Sequence, residues 1–177
     1  GTGAIGIELA KLLKAFSCKV VGWKRRPADA LPQGFDEIKA NLDDALAAAE
    51  IVFIALPATA LTEGLLSKER LLGMKGKFLV NVGRGSIVDE EGLYLALSQG
   101  ILKGAAIDTW YQYPPSGKVG APSRYPIHKL SNVILSPHVG GSTHQASARA
   151  VEITVYKIRD YIKNGECGGE ADLKAAY

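Results

Sequence analysis

From residue 4 onward the apolar positions recur at helical spacing. Ile5, Leu9, Leu12, Leu13 and Phe16 share one face, and the run that follows, CKVVGW at 18–23, is short and apolar enough for a buried strand. The alternation then repeats. A helical stretch at 43–49 precedes IVFIAL at 51–56, one at 68–74 precedes KFLVNV at 77–82, and one at 89–98 precedes GAAID at 104–108. A last short strand, NVILS, ends at Ser136. Continuous apolar strands between amphipathic helices predict a parallel sheet covered on both faces, an α/β doubly wound arrangement. The pattern over 142–164 predicts an unusually long final helix, and the GECGGEADLKAAY that follows reads as an irregular tail. The expected division is therefore a domain over 1–141 and a long helix with its tail over 142–177.

Composition narrows the class. At 177 residues with 47% hydrophobic and 22% charged, the chain matches an average globular domain and can bury a sizeable core. A net charge of +3 is too mild to predict nucleic-acid or membrane binding. Cys18 and Cys167 lie far apart, with neither C-x-x-C nor His-rich ligand spacing, so no disulfide framework and no metal site is suggested. A reducing cytoplasm is the expected setting. No apolar run approaches the ~20 residues that a membrane span needs.

In parallel sheets of this kind, ligands bind beyond the carboxyl ends of the strands. The segments found there are WKRRP, PATALT, GRGSIVD, TWYQYP and PHVGGST, each polar, glycine-rich or basic. The opening GTGAIG has the G-x-G-x-x-G spacing, a weak pattern alone but strengthened by the amphipathic helix behind it. It puts Gly1, Gly3 and Gly6 at a pyrophosphate, with Ala4 and Ile5 offering backbone N–H groups. Leu56, Pro57 and Thr62 after one strand, and Val82 and Gly83 after the next, are further candidate cofactor contacts.

Arg84 presents a planar fork suited to a substrate carboxylate; the alternative is an arginine that caps strand carbonyls or pairs with Asp89. Asp108 is either a cofactor contact or a cap for the loop behind it. Of the three histidines, His128 falls in an expected surface loop and His144 opens a helix. His138 sits at a strand tip, with Gly140 and Gly141 behind it to allow close cofactor approach.

The stretch PATALTEGLLSKERLLGMKGKFLVNVGRGSIVDEEGLYLALSQGILKGAAID, followed by NVILSPHVGGST, resembles the nucleotide-binding domain of the D-isomer-specific 2-hydroxyacid dehydrogenase family. The match runs in register over nearly the whole chain. The resemblance implies a Rossmann-type domain inserted within a substrate domain, with the first central strand and the N-terminal substrate region upstream of Gly1. It implies association of two such chains as a homodimer. By the same resemblance Arg84 is the substrate arginine, His138 the general acid/base, and Asp108 the acceptor for the nicotinamide carboxamide, in hydride exchange between a nicotinamide cofactor and a small 2-hydroxy or 2-oxo acid.

Two departures from the family pattern change the expectation. The acidic residue that takes the adenosine ribose is replaced by Lys24, followed by Arg25 and Arg26. Loss of that carboxylate removes repulsion toward a 2′-phosphate and tilts the reading toward NADP, with NAD still open. The carboxylate, or in formate dehydrogenases the Gln, that supports the histidine is here Tyr113, while Gln112 is one residue off. Two readings stay open on this evidence: a dehydrogenase or reductase in which Tyr113 stands in, and a dinucleotide-binding regulatory or corepressor-like relative with little turnover.

Overall fold

The computed structural model describes residues 1–25, 30–116, 118 and 120–169. Two compact units divide it, Gly1–Leu135 and Ser136–Tyr177. The first unit alternates helix and strand: α1 (Ala4–Ala15), β1 (Val21–Trp23), β2 (Glu37–Lys39), α2 (Leu42–Ala48), β3 (Ile51–Ile54), α3 (Lys68–Leu72), β4 (Phe78–Asn81), α4 (Glu90–Ser98), β5 (Gly104–Ile107) and β6 (Val133–Leu135). Every strand pairing is parallel, as apolar runs flanked by helices require.

Helix starts follow from local chemistry. Asn41 accepts from the Asp43 N–H at 2.8 Å, and Asp89 from the Gly92 N–H at 2.7 Å, so each side chain satisfies a donor that its helix leaves unpaired. α3 and α4 pack closely because Gly92 has no side chain; a Cβ there would lie 2.6 Å from the Lys68 Cα. Their inner faces, Leu71, Leu93 and Ala96, meet Leu79 of β4 in a core that excludes water.

Three strands are shorter than the apolar runs suggest. Cys18 and Lys19 of CKVVGW are exposed and precede β1, β3 stops at Ile54, and β4 stops at Asn81. β2 escapes the hydrophobic pattern altogether. Its sequence, EIK, holds one apolar residue, and pairing with β1 makes it a strand.

The strands form two sheets, β1–β2 and β3–β4–β5–β6. Between β1 and β3 lies a cavity of about 510 Å³, walled by apolar side chains that include Leu9 and Leu13 of α1, Val21, Leu46 of α2, and Val52 and Ile54. A sheet running without a break from β2 to β6 needs one more strand there. This is the position that the resemblance gives to the first central strand.

The second unit is dominated by α5 (His144–Asn164), capped by Thr143, whose Oγ1 accepts from the Ala146 N–H at 3.0 Å. Gly165 ends the helix at φ 76°, a left-handed turn that glycine adopts without steric cost. No helix among the described residues is long and apolar enough to cross a membrane.

Candidate functional site

The glycine loop closes against the end of β3. A Cβ on Gly1 would lie 2.4 Å from the Ala55 carbonyl oxygen, and one on Gly6 would lie 2.1 Å from the Gly1 carbonyl oxygen. Both glycines are therefore demanded by protein contacts. Gly3 is different, because a Cβ there meets nothing within 4 Å. Open space at Gly3 is what a phosphate needs for close approach to the backbone. The first α1 hydrogen bond runs from the Ile7 N–H to the Gly3 carbonyl at 2.9 Å, which leaves the amides of Ala4, Ile5 and Gly6 ahead of it. No side chain caps this end, and the first turn holds no acidic residue. An exposed helix N-terminus with unpaired amides and no competing carboxylate is a ready anion site.

Lys24 and Arg25 follow β1 and are both exposed; Lys24 is tied to the sheet through its backbone N–H, which donates to Lys39 at 3.4 Å. Arg26 lies outside the described residues. After β3, Leu56 is half-buried and Pro57 exposed. Thr62 is buried, and its hydroxyl donates to the Pro57 carbonyl at 2.7 Å while accepting from the Thr59 N–H at 2.8 Å. It shapes the 57–62 turn from within.

The turn after β4 carries Val82, Gly83 and Arg84. A Cβ on Gly83 would come within 2.8 Å of the Leu56 carbonyl oxygen, and one on Gly85 within 2.3 Å of the Trp110 carbonyl oxygen. The arginine turn is thus held backbone against backbone by the segments after β3 and β5. Arg84 itself is exposed, and its Nη1 donates to the Gly83 carbonyl at 2.7 Å. Asp89, the partner weighed from the sequence, instead caps α4.

Asp108 closes β5; it is buried, and its N–H donates to the Asn81 carbonyl at 3.1 Å. In the loop behind it the Tyr113 hydroxyl accepts from the Trp110 N–H at 2.8 Å, although the residue is 54% exposed. Tyr113 therefore braces the N–H side of Trp110, the residue whose carbonyl packs on Gly85. Further along, Glu90 fastens the loop to α4. Its carboxylate, only 7% exposed, accepts from the Ser123 hydroxyl at 2.8 Å, the Arg124 N–H at 2.6 Å and the Arg124 Nε at 2.7 Å. Burial pushes the Glu90 carboxyl up, but these donors outweigh it and hold the group below the usual glutamate range. Burial pushes the Tyr111 phenol up, with the charge of Glu90 adding to the effect.

His138, Gly140 and Gly141 belong to the second unit. His138 is exposed and sits at φ 58°, a left-handed conformation uncommon for a residue with a side chain. Such backbone strain gathers at functional sites. A Cβ on Gly141 would meet nothing within 4 Å, and the Ser142 N–H donates to the Val139 carbonyl at 2.9 Å, turning the chain toward α5.

Within the first unit the structure brings the glycine loop, the 55–57 segment, the Val82–Gly83–Arg84 turn and Asp108 to the carboxyl ends of neighbouring strands. Ala55 and Leu56 lie between Gly1 on one side and Gly83 on the other. Sequence reasoning missed Asn81 and the Glu90 anchor.

Comparison with known proteins identifies the family and the fold. The model of the D-isomer specific 2-hydroxyacid dehydrogenase NAD-binding domain matches residues 1–140. A glyoxylate/hydroxypyruvate reductase B of Yersinia pestis is 37% identical over 147 residues, which are 82% of this chain and 43% of the relative. The NADPH-dependent glyoxylate/hydroxypyruvate reductase of Sinorhizobium meliloti, in complex with NADP and malonate, superposes with a TM-score of 0.79 at 27% identity, over 97% of this chain and 51% of that one. A D-isomer specific 2-hydroxyacid dehydrogenase of Xanthobacter autotrophicus, in complex with NADPH and MES, gives a TM-score of 0.82 at 31% identity, over 100% of this chain and 70% of that one. The chain spans about half the length of the curated relatives it matches, 43% in the case above.

Proposed function

Because the chain belongs to the D-isomer specific 2-hydroxyacid dehydrogenase family, we propose that the protein carrying it is an NADP-dependent reductase of small 2-oxoacids. The observation that carries this reading is the placement of an uncapped helix N-terminus and an exposed arginine turn on either side of the Ala55–Leu56 peptide. One suits a pyrophosphate and the other a carboxylate.

Gly1, Gly3, Gly6 and the amides of Ala4 and Ile5 would hold the pyrophosphate, with Leu56, Pro57, Val82, Gly83, Asp108, Gly140 and Gly141 along the rest of the cofactor. Thr62 acts by holding the 57–62 turn. When bound, the cofactor supplies a hydride. Arg84 grips the substrate carboxylate through its two parallel N–H groups and turns the adjacent carbonyl into the site. His138 gives a proton to the carbonyl oxygen, so the ketone leaves as an alcohol. Tyr113 holds the Trp110 N–H in place through its hydroxyl oxygen. Lys24 and Arg25 favour NADP over NAD, which fits the NADP or NADPH in two of the similar structures.

The reading extends to a homodimer and a cytoplasmic setting. Leu12 and Phe16 of α1, 65% and 80% exposed, offer an apolar face to a second copy. Cys18 and Cys167 are free thiols. Sedimentation of the complete protein as a concentration-independent monomer would refute the dimer.

The direct test follows NADPH oxidation by the complete protein with a panel of small 2-oxoacids and their carboxamide analogues. Turnover is expected with the acids and not with the amides. Tight NADPH binding with no turnover of any acid would sink the reductase and favour the regulatory relative, which the tyrosine at position 113 also allows.

A further inference from the structure

The exposed Arg84 is held by a buried side chain that lies outside the glycine loop. Asn81 ends β4 and is 3% exposed. Its Oδ1 accepts from the Gly83 N–H at 3.0 Å and its Nδ2 donates to the Arg84 carbonyl at 3.1 Å. Those two partners fix which end of the carboxamide is which, since an N–H must face oxygen and a carbonyl must face nitrogen. The main-chain carbonyl of the same residue accepts from the Asp108 N–H at 3.1 Å. One residue therefore clamps the backbone on both sides of the Arg84 Cα and ties that turn to the end of β5.

The surroundings make this clamp consequential. Asn81 pairs across the sheet with Ile54 and Ile107, both buried, so a carboxamide stands where the strand pattern FLV would continue with an apolar residue. A buried amide is tolerated only when its hydrogen bonds are made, and here both go to the arginine turn. Gly83 and Gly85 press against neighbouring backbone, which sets where the turn lies. The Arg84 carbonyl takes a longer bond from the Ile87 N–H at 3.3 Å beside the one from Asn81 at 3.1 Å, so Asn81 supplies the shorter of the two bonds that fix the rotation of the Arg84 peptide.

We propose that Asn81 is a positioning residue for substrate carboxylate recognition, setting the direction from which the Arg84 guanidinium enters the site. The inference rests on the reading of Arg84 as the carboxylate-binding residue. Asn81→Asp separates the two bonds. An aspartate of the same shape still accepts from the Gly83 N–H but turns an oxygen toward the Arg84 carbonyl, which repels that carbonyl and leaves the peptide on its longer bond from the Ile87 N–H.

In the complete protein, the KM for a small 2-oxoacid and the dissociation constant of oxamate, an unreactive 2-oxoacid mimic, are read beside the dissociation constant of NADPH. Asn81→Asp should raise the first two about tenfold, the effect of one lost hydrogen bond that orients a charged group, and leave NADPH binding within about twofold. A residue of purely structural importance would lower the melting temperature without separating acid from cofactor. If the aspartate variant does not fold, Asn81→Ser, too short to reach both partners, is read on the same constants with the same expectation. Arg84→Gln serves as the reference. If it weakens oxamate and the Asn81 variants do not, the inference is overturned while the arginine reading stands. If Arg84→Gln leaves oxamate unchanged, the arginine reading fails and the inference with it.

Discussion

Gly3→Ala and Gly6→Ala separate the demands of the fold from the demands of the cofactor. At Gly6 a methyl would lie 2.1 Å from the Gly1 carbonyl oxygen, a backbone atom that cannot swing aside as a side chain would. Overpacking of this kind costs ~1–3 kcal/mol, and the glycine loop must shift to absorb it. At Gly3 the methyl meets nothing within 4 Å, and φ of −79° with ψ of −167° is open to alanine. Alanine is a poorer helix cap than glycine, a difference of at most about 1 kcal/mol. The space the methyl takes is the space in front of the uncapped helix end. If a pyrophosphate sits there, losing one charge-assisted hydrogen bond of ~1.5–3 kcal/mol should weaken NADPH binding roughly 10- to 150-fold. Calorimetric titration with NADPH and thermal melts of both variants of the complete protein read the two effects separately. Expected are a near-native melt with weak NADPH binding for Gly3→Ala and a lowered melt for Gly6→Ala. Native NADPH affinity in Gly3→Ala would refute the placement of the phosphates.

Two further predictions concern charge. Lys24→Asp should reverse a preference for NADPH over NADH of at least about tenfold, since a carboxylate repels the 2′-phosphate that a cation attracts; equal dissociation constants for both cofactors in the unaltered protein would show the basic run to be a solvated turn. Glu90→Gln should lower the melting temperature through ~1–3 kcal/mol of weakened bonding to Ser123 and Arg124. Because the folded Glu90 carboxyl is held low, its contribution is fully present above the unfolded value of ~4.3 and fades as pH falls through the folded value, so the gap between the two proteins should close in acid. A gap of constant size from neutral to acid pH would contradict that assignment.

The legible parts of this chain are those where one physical cause acts locally. Apolar runs such as IVFIAL read as strands because a parallel sheet buries both faces, and the helices between them read from their spacing. β2 did not, because Glu37–Ile38–Lys39 is a strand only through its neighbour β1. The lysine and arginine after β1, Arg84 and Asp108 stood out because polar residues at the carboxyl ends of apolar strands have few structural reasons to be there. Asn81 did not stand out, since an asparagine before a glycine-containing turn looks like ordinary turn chemistry. Glu90 was hidden twice over. It sits in the acidic first turn expected of any helix, and its partner Arg124 is 34 residues away through a polar loop. The left-handed backbone at His138 has no signature in the side chains around it.

The central claim is that hydride passes from a nicotinamide cofactor to the second carbon of a small 2-oxoacid, with Arg84 and His138 supplying the carboxylate grip and the proton. NADPH carrying deuterium at its transferable ring position, incubated with the complete protein and a 2-oxoacid, tests it most directly by mass spectrometry and chiral analysis of the product. The account predicts deuterium on the second carbon of the D-2-hydroxyacid and loss of most of that product in His138→Ala. Product without deuterium, or none from any 2-oxoacid while NADPH remains tightly bound, would contradict it.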